Sequence, residues 1–342
     1  LSQVTELWHL YLVFFIMSMG AALGTWLPAM TVMNHWFIQQ KTRAMALVMQ
    51  GFALGGIVIP LLLAWSIGGT DPNVSQRFGW SATSLMVGLI IIGAALPLSR
   101  MVRNRPEDMA LTPDGALSGS LATSTAGVTV ADPETEQEGY TWQEAIRTRA
   151  FWLISFGHAA SSIVIVSVMV HLGILLDDRG FSLQIISAVV ATYTGFNAIF
   201  IAVGGYLGDR LPIRLVAFGF SAFQSVAVVT LVIAQNTEIL FLFAVLLGIG
   251  FGGRTPVTTS IRGVYFGRKA FAAITGISMV PMNLLLFAAP LYAGYMRDAT
   301  GNYDLAFLTI ALVCLIGSGL FLLLGDPKPA PASPNLVAQA AD

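Results

Sequence analysis

G-I-G-F-G-G-R-T-P, residues 248–256, decides how the rest of the chain is read. It lies in an apolar run that starts near Ile239. It carries Arg254, the one Lys, Arg, Asp or Glu well inside an apolar run. Its frame, Gly-x3-Gly-x3-Pro at Gly248, Gly252 and Pro256, recurs at Gly20, Gly24 and Pro28. Each copy is followed by an aromatic pair and then a basic cluster: Trp36-Phe37 with Lys41 and Arg43, and Tyr265-Phe266 with Arg268 and Lys269. Where the second copy has Arg254, the first has Trp26. Two such copies point to a duplicated membrane architecture with one specialised half.

Composition agrees with this. The 342 residues are 56% hydrophobic and only 10% charged, where soluble domains are nearer a quarter charged. Apolar runs of roughly 20 residues are the length that crosses a hydrocarbon core. A net charge of −1 supplies no basic field for a nucleic acid. The single cysteine, Cys314, excludes an internal disulfide and a cysteine-built zinc site.

The fold class expected is all-α, a multi-pass transmembrane helical bundle. Nine spans are predicted, at about 7–33, 44–68, 80–99, 150–176, 183–207, 215–234, 239–262, 270–294 and 305–324. A helix satisfies its own backbone hydrogen bonds in lipid, and the alternating polarity of a barrel strand is absent. Alternate connections carry twelve Lys and Arg, from Lys41 to Lys269, and the opposite set carries only Arg77, Arg179 and Arg297. The richer set is expected in the cytoplasm, with the C-terminus on the same side of a plasma or inner membrane.

Four regions follow. Residues 1–103 hold three spans. Residues 104–142 are rich in Ser, Thr, Ala, Gly, Pro and acids, without an apolar period, and read as a cytoplasmic linker. Residues 143–326 hold six spans, and 327–342 form a Pro-rich tail expected to be disordered. A short amphipathic helix is expected at 142–148.

The loop Gly205–Arg214, G-Y-L-G-D-R-L-P-I-R, resembles the signature of the major facilitator superfamily, Gly-x-Leu-Ala-Asp-Arg-x-Gly-Arg-Lys. Gly205, Leu207, Asp209, Arg210 and Arg214 match it, and Pro212 and Ile213 depart from it. Trp36-Phe37 with Lys41-Thr-Arg-Ala, Arg77-Phe-Gly-Trp80, Arg105-Pro-Glu, Glu144-Ala with Phe151-Trp152, Tyr265-Phe-Gly-Arg268, and Asp298 with Gly301 and Tyr303 are similar to bacterial members of the monocarboxylate-transporter and oxalate/formate-antiporter branch. The resemblance implies that the spans correspond to helices four to twelve of a twelve-helix transporter, truncated at the N-terminus. It also implies that Asp209, Arg210 and Arg214, with Gly205, form a gate loop that braces neighbouring helices. Their other reading is as ordinary topology-setting loop charges.

Within the spans, Arg254 comes first. A charge at the bilayer centre costs about 2.5–3.5 kcal/mol on insertion scales, so it faces a cavity or a partner. It reads as a carboxylate clamp for an anionic substrate or as a structural arginine on helix-end carbonyls. Tyr193 and Asn197, four residues apart on one helix face, could bond a substrate or another helix. Asn283 and Trp26 are further pathway candidates, Trp26 opposite Arg254. His158 and His171 are candidates for proton coupling or plain packing. Thirteen residues of helix, roughly 20 Å, separate them, so they cannot share a metal ion.

No nucleophile elbow, phosphate loop, metal signature or dinucleotide fingerprint occurs, so neither an enzyme nor a cofactor or metal is expected. The function expected is secondary transport of a small solute by alternating access, with an organic anion such as a carboxylate as substrate. The lipid bilayer, and protons or a counter-anion, are the implied partners; a monomer is expected. The alternatives are efflux of apolar solutes and a membrane sensor or scaffold that moves nothing.

Overall fold

The computed structural model describes residues 6–67, 78–109, 111–115 and 139–327. Arg77, the central part of the expected linker and the expected tail from 328 lie outside the described residues. Among those described there are helices and no strands. Eight helical stretches are long and apolar enough to cross a membrane. The span expected at 44–68 is not among the eight, although it too is helical, over Lys41–Ile67.

Two compact units divide the chain. The first comprises Leu1–Ile38 and Val48–Ser124, the second Gln39–Leu47 and Thr125–Asp342. The first unit contains α1 (Leu7–Gly24), α2 (Trp26–Trp36), the greater part of α3 (Lys41–Ile67) and α4 (Gly79–Met101). The single span expected at 7–33 is therefore two helices. They part at Thr25, whose backbone leaves helical geometry at φ −112 and ψ −97. Pro28 then falls in the first turn of α2, where backbone N–H groups have no intrahelical acceptor and a proline costs no hydrogen bond. The Ser66 and Thr83 hydroxyls meet at 2.8 Å and tie α3 to α4. Trp36 Nε1 donates to the Arg103 carbonyl at 2.9 Å and closes the far end. Leu7, Tyr11, Phe15, Leu23, Ile90 and Leu96 are exposed. Exposed apolar residues all round α1 and α4 suit lipid, where a helix needs no polar face.

The second unit holds α5 (Trp142–Ile146), α6 (Arg149–Asp178), α7 (Leu183–Arg210), α8 (Ile213–Ile233), α9 (Thr237–Phe266), α10 (Phe271–Ser278), α11 (Val280–Thr300) and α12 (Asp304–Leu322). The helix expected at 142–148 is α5. The span expected at 270–294 breaks at Met279 into α10 and α11, with Pro281 as the second residue of α11. Side-chain caps set where the long helices start. The Thr148 hydroxyl accepts from the Phe151 N–H at 3.2 Å, and the Asn236 side chain accepts from the Ile239 N–H at 2.9 Å. Gly301, at φ 80, ends α11 in the left-handed conformation that terminates helices.

Packing runs in the order α7, α9, α8, α12, α6, α11. α9 lies between α7 and α8, and its glycines set both distances. A Cβ on Gly248 would come within 2.7 Å of the Tyr193 carbonyl, and one on Gly252 within 3.0 Å of the Asn197 Cα, both on α7. A Cβ on Gly250 would sit 2.9 Å from the Gln224 backbone nitrogen on α8. The alternating small residues of G-I-G-F-G-G therefore bring two helices onto opposite sides of one. Two apolar clusters form the core. One gathers Val164, Val168, Leu172, Val228, Leu240, Phe243 and Phe307. The other gathers Phe151, Ile154, Ala217, Val257, Ile261 and Phe321. Between the stretches of α6 that serve the two clusters lie Ser155, His158, Ser161 and Ser162, all buried.

Candidate functional site

The buried polar stretch of α6 faces α9. Ser162 and His158 are one turn apart on α6, and Arg254 and Arg262 are two turns apart on α9. Arg254 is 2% exposed and Arg262 fully buried. Arg254 Nη1 donates to the Ser162 hydroxyl at 3.3 Å, and its guanidinium lies 5.4 Å from the centre of the Phe251 ring. Its Nε has no acceptor among the described residues. Arg262 Nη2 donates to His158 Nδ1 at 2.9 Å and its Nη1 to the Thr258 carbonyl at 2.6 Å, while its Nε donates to the Ser278 hydroxyl of α10. Among the described residues no carboxylate pairs with either guanidinium. Two buried cations without a counter-charge are costly, because burial penalises an unpaired charge far more than an unpaired dipole. What such a seam can do chemically is receive an anion.

Arg262 was missed in the sequence. It sits at the end of an apolar run, beside Arg268 and Lys269, and reads there as a loop charge. The signal that could have found it is the continuation of the apolar pattern past it, through Val264 to Phe266.

The other expected residues fall into three places. Tyr193 and Asn197 do share one face of α7, against the glycines of α9. The Tyr193 ring lies 6.5 Å from the Phe251 ring, so Tyr193, Phe251 and Arg254 are neighbours. Asn197 Oδ1 is buried without a donor among the described residues. His171 stands apart from His158, as the helix spacing requires. Its Nε2 is 2.9 Å from the Pro290 carbonyl and its Nδ1 3.1 Å from the Tyr303 hydroxyl, which joins α6 to α11 and to the start of α12. Asn283 is exposed on α11, a helix that packs chiefly on α6 and not along α9, so it is not gathered with Arg254. Trp26 is half-buried on α2 of the first unit. Cys314 is fully buried against α8, 3.5 Å from the Ser221 carbonyl.

The loop at 205–214 has its own geometry. Asp209 Oδ1 accepts from the Thr42 N–H at 2.8 Å and Oδ2 from the Arg43 N–H at 3.0 Å. These are the second and third residues of α3, where free N–H groups and the helix dipole both favour a carboxylate. A Cβ on Gly205 would lie 2.6 Å from the Ala46 Cβ, so only glycine admits this approach. The Tyr206 ring is flanked by two guanidinium groups, Arg43 at 4.6 Å and Arg210 at 4.3 Å. Lys41 donates to the Gly263 carbonyl at 3.1 Å and Thr42 meets Ser260 at 2.9 Å, so the same turn of α3 also holds α9. Arg214 serves elsewhere: it reaches the Leu324 carbonyl at 2.5 Å and Asp326 at 3.4 Å.

Among the described residues no group of His, Cys, Asp and Glu is gathered to hold a metal ion. The chain is similar over 94% of its length to monocarboxylate transporter 13 of Rattus norvegicus, at 26% identity and over 69% of that protein. It is similar over 96% of its length to monocarboxylate transporter 11 of Mus musculus, at 26% identity and over 68% of that protein. In fold it matches the crystal structure of a variant of the Escherichia coli fucose:proton symporter FucP with a TM-score of 0.58 and 12% identity, covering 83% of this chain and 69% of that one. The family model that describes the Major Facilitator Superfamily matches residues 154–341, more than half of the sequence. The chain is therefore a multi-pass membrane transporter that belongs to the Major Facilitator Superfamily.

Proposed function

We propose that the chain carries a small organic anion, a carboxylate, across a plasma or inner membrane by alternating access. The observation behind this reading is Arg254: 2% exposed, midway along α9, with one hydrogen bond to a neutral hydroxyl and no carboxylate partner among the described residues. A carboxylate is the complement of a guanidinium because two N–H groups match its two oxygens. Tyr193, beside Arg254, and Asn197, one turn along α7, extend the recognition surface with a hydroxyl and an amide. The names of the two relatives point to the same solute class. Asp209, with the turn of α3 that it caps, serves as the gate contact of one state of the cycle.

The test is uptake of labelled lactate by the complete natural protein in proteoliposomes. Arg254→Gln removes a charge-assisted contact of about 1.5–3 kcal/mol, so affinity falls roughly ten- to hundredfold. Wild-type affinity in that variant removes the carboxylate reading. Export of an apolar dye without lactate uptake favours solute efflux, and no flux of either favours a sensor.

A further inference from the structure

His158 and Arg262 meet with a constraint that fixes a proton. An arginine nitrogen only donates. The Arg262 Nη2 to His158 Nδ1 contact of 2.9 Å therefore requires Nδ1 to be a bare acceptor, which places the ring's one proton on Nε2. A protonated imidazole has no acceptor at all. Once Nδ1 takes a proton from water, two donors with like charge face each other and the contact breaks. We propose that Arg262 is a second carboxylate station on α9, kept shut by unprotonated His158 and opened when His158 is protonated.

The setting supports a station and not only a repulsion. Arg262 is held by Ser278, Thr258 and His158, all neutral. When His158 protonates, a guanidinium and an imidazolium lie side by side in a buried seam that offers no carboxylate of its own among the described residues. A substrate carboxylate accepts from both, one oxygen to each, and returns the pair to the single positive charge it carried before His158 was protonated. Arg254 lies two turns along the same helix, about 12 Å away, at the other rung of the seam. A carboxylate passing between the rungs exchanges one guanidinium for another while moving towards the end of α9 beyond which Arg268 and Lys269 follow. α9 packs closely on α7 and α8 but meets α6 at few points, so the seam is held by these polar side chains more than by backbone contact.

The groups around His158 leave Arg262 as its proton-dependent partner. From α9 it faces Arg262 and Arg254, both cations. α10 brings Ser278, through Arg262. α12 brings Gly317 and Phe321 against Gly157, with Cys314 one turn further on. On α5, Glu144 is exposed and bonded to Thr141. The acidic and basic groups of α11 meet α6 at its other end, where Arg297 pairs with Asp178.

This inference rests on the carboxylate reading, and the experiment separates the two. The complete natural protein, with 15N-labelled histidine, is placed in lipid nanodiscs and its imidazole nitrogens are followed by NMR, with sodium lactate as probe and sodium chloride as control. Without lactate at about pH 8, His158 shows the neutral Nε2–H tautomer. Lactate then raises its protonated fraction roughly tenfold at fixed lower pH, because each ligand favours the other's binding. Arg262→Leu abolishes that response. A lactate-independent His158 signal in the wild type overturns the station, as does a full response in Arg262→Leu. Lactate uptake by Arg254→Gln is read in parallel. If it is lost while His158 ignores lactate, the station alone fails. If it persists with wild-type affinity, the carboxylate reading fails first.

Discussion

Asp209 holds Thr42 by its backbone: the carboxylate of α7 accepts the Thr42 N–H at 2.8 Å, and its second oxygen takes the N–H of the next residue at 3.0 Å. A helix start is thus capped by a residue 167 positions away, and its stability depends on the loop that delivers the carboxylate. Nothing in the first turn of α3 itself supplies an acid.

Asp209→Asn tests this cap. An amide keeps the shape but offers one acceptor oxygen and no charge. The expected loss is about 1–3 kcal/mol for a hydrogen bond to a charged group, seen as a lower midpoint in a detergent melt. Turnover should change several-fold while lactate affinity does not, since Asp209 is remote from Arg254. A variant with the wild-type melt and turnover returns Asp209 to the role of a topology-setting charge.

The glycines of α9 give a second prediction with an internal control. Gly252→Ala places a methyl 3.0 Å from the Asn197 Cα, a backbone atom that cannot move alone, so α7 must shift. Overpacking of this kind costs about 1–3 kcal/mol. Gly219→Ala on α8 meets nothing within 4 Å, and there the better helix propensity of alanine is worth up to about 1 kcal/mol. The two substitutions should move the melting midpoint in opposite directions. Equal effects would mean that the α7–α9 approach is not set by Gly252.

Much of this arrangement was legible in the sequence, and the reasons for what was not are physical. Gly248 and Gly252 announce close approach because spacing by four puts both on one helix face. Arg254 announces itself because lipid makes a lone charge expensive. The loop at Asp209 carries its own signature, although the acceptor role towards Thr42 does not, since a backbone N–H leaves no trace in sequence. Arg262 was hidden because a basic residue at the end of an apolar run looks like a topology signal, and its partners His158 and Ser278 are distant along the chain. Asn283 reads in the sequence only as a polar residue beside a proline; its exposed place on α11 follows from the packing of α11 on α6, which the local sequence does not carry. The breaks at Thr25 and Met279 were missed because hydropathy continues unbroken across them.

Arg179 supports a third prediction. Its guanidinium donates to the carbonyls of Leu231, Val232 and Ala234 at the end of α8 and reaches Asp304 at 3.0 Å. One side chain thereby satisfies carbonyls that a helix end leaves free and joins α6, α8 and α12. Arg179→Lys keeps the charge but lacks the planar fork, and cannot reach all of these acceptors. It should lose about half of the roughly 2–3 kcal/mol that Arg179→Ala loses in a melt. Equal stability of the lysine variant and the wild type would show that charge alone suffices.

A fourth prediction concerns acid. The Glu144 carboxylate accepts from the Thr141 N–H and hydroxyl, each at 2.8 Å. The backbone bond, then the hydroxyl bond, then nearby Lys269 hold it below the usual carboxylate range. A depressed carboxylate stabilises the folded form above its unfolded pKa, and that contribution is lost as pH falls through the lower folded value. Amide exchange in α5, corrected for the intrinsic rate, should therefore accelerate below about pH 4. Glu144→Gln, which keeps the capping shape without the charge, should remove the acid step. Persistence of the step in that variant assigns it to another group.

The last prediction separates the two candidate histidines. The Pro290 carbonyl can only accept, so His171 carries a proton on Nε2, and its Nδ1 faces the Tyr303 hydroxyl at 3.1 Å. Burial pushes the Tyr303 phenol up, so it keeps its proton. A hydroxyl both donates and accepts. Neutral His171 accepts a hydrogen bond from the Tyr303 hydroxyl, and protonated His171 donates one to the same oxygen after the hydroxyl turns. Neither charge state breaks a contact, and no helix is released. His158 differs because its partner, Arg262, has no acceptor to offer. His171→Gln should then leave the ratio of lactate uptake rates at about pH 6 and about pH 8 within a factor of about two of wild type, while His158→Gln, which accepts from Arg262 at every pH, should cut that ratio roughly tenfold. The opposite pattern would move proton coupling to the His171–Tyr303 contact and leave the bond between His158 and Arg262 a structural one.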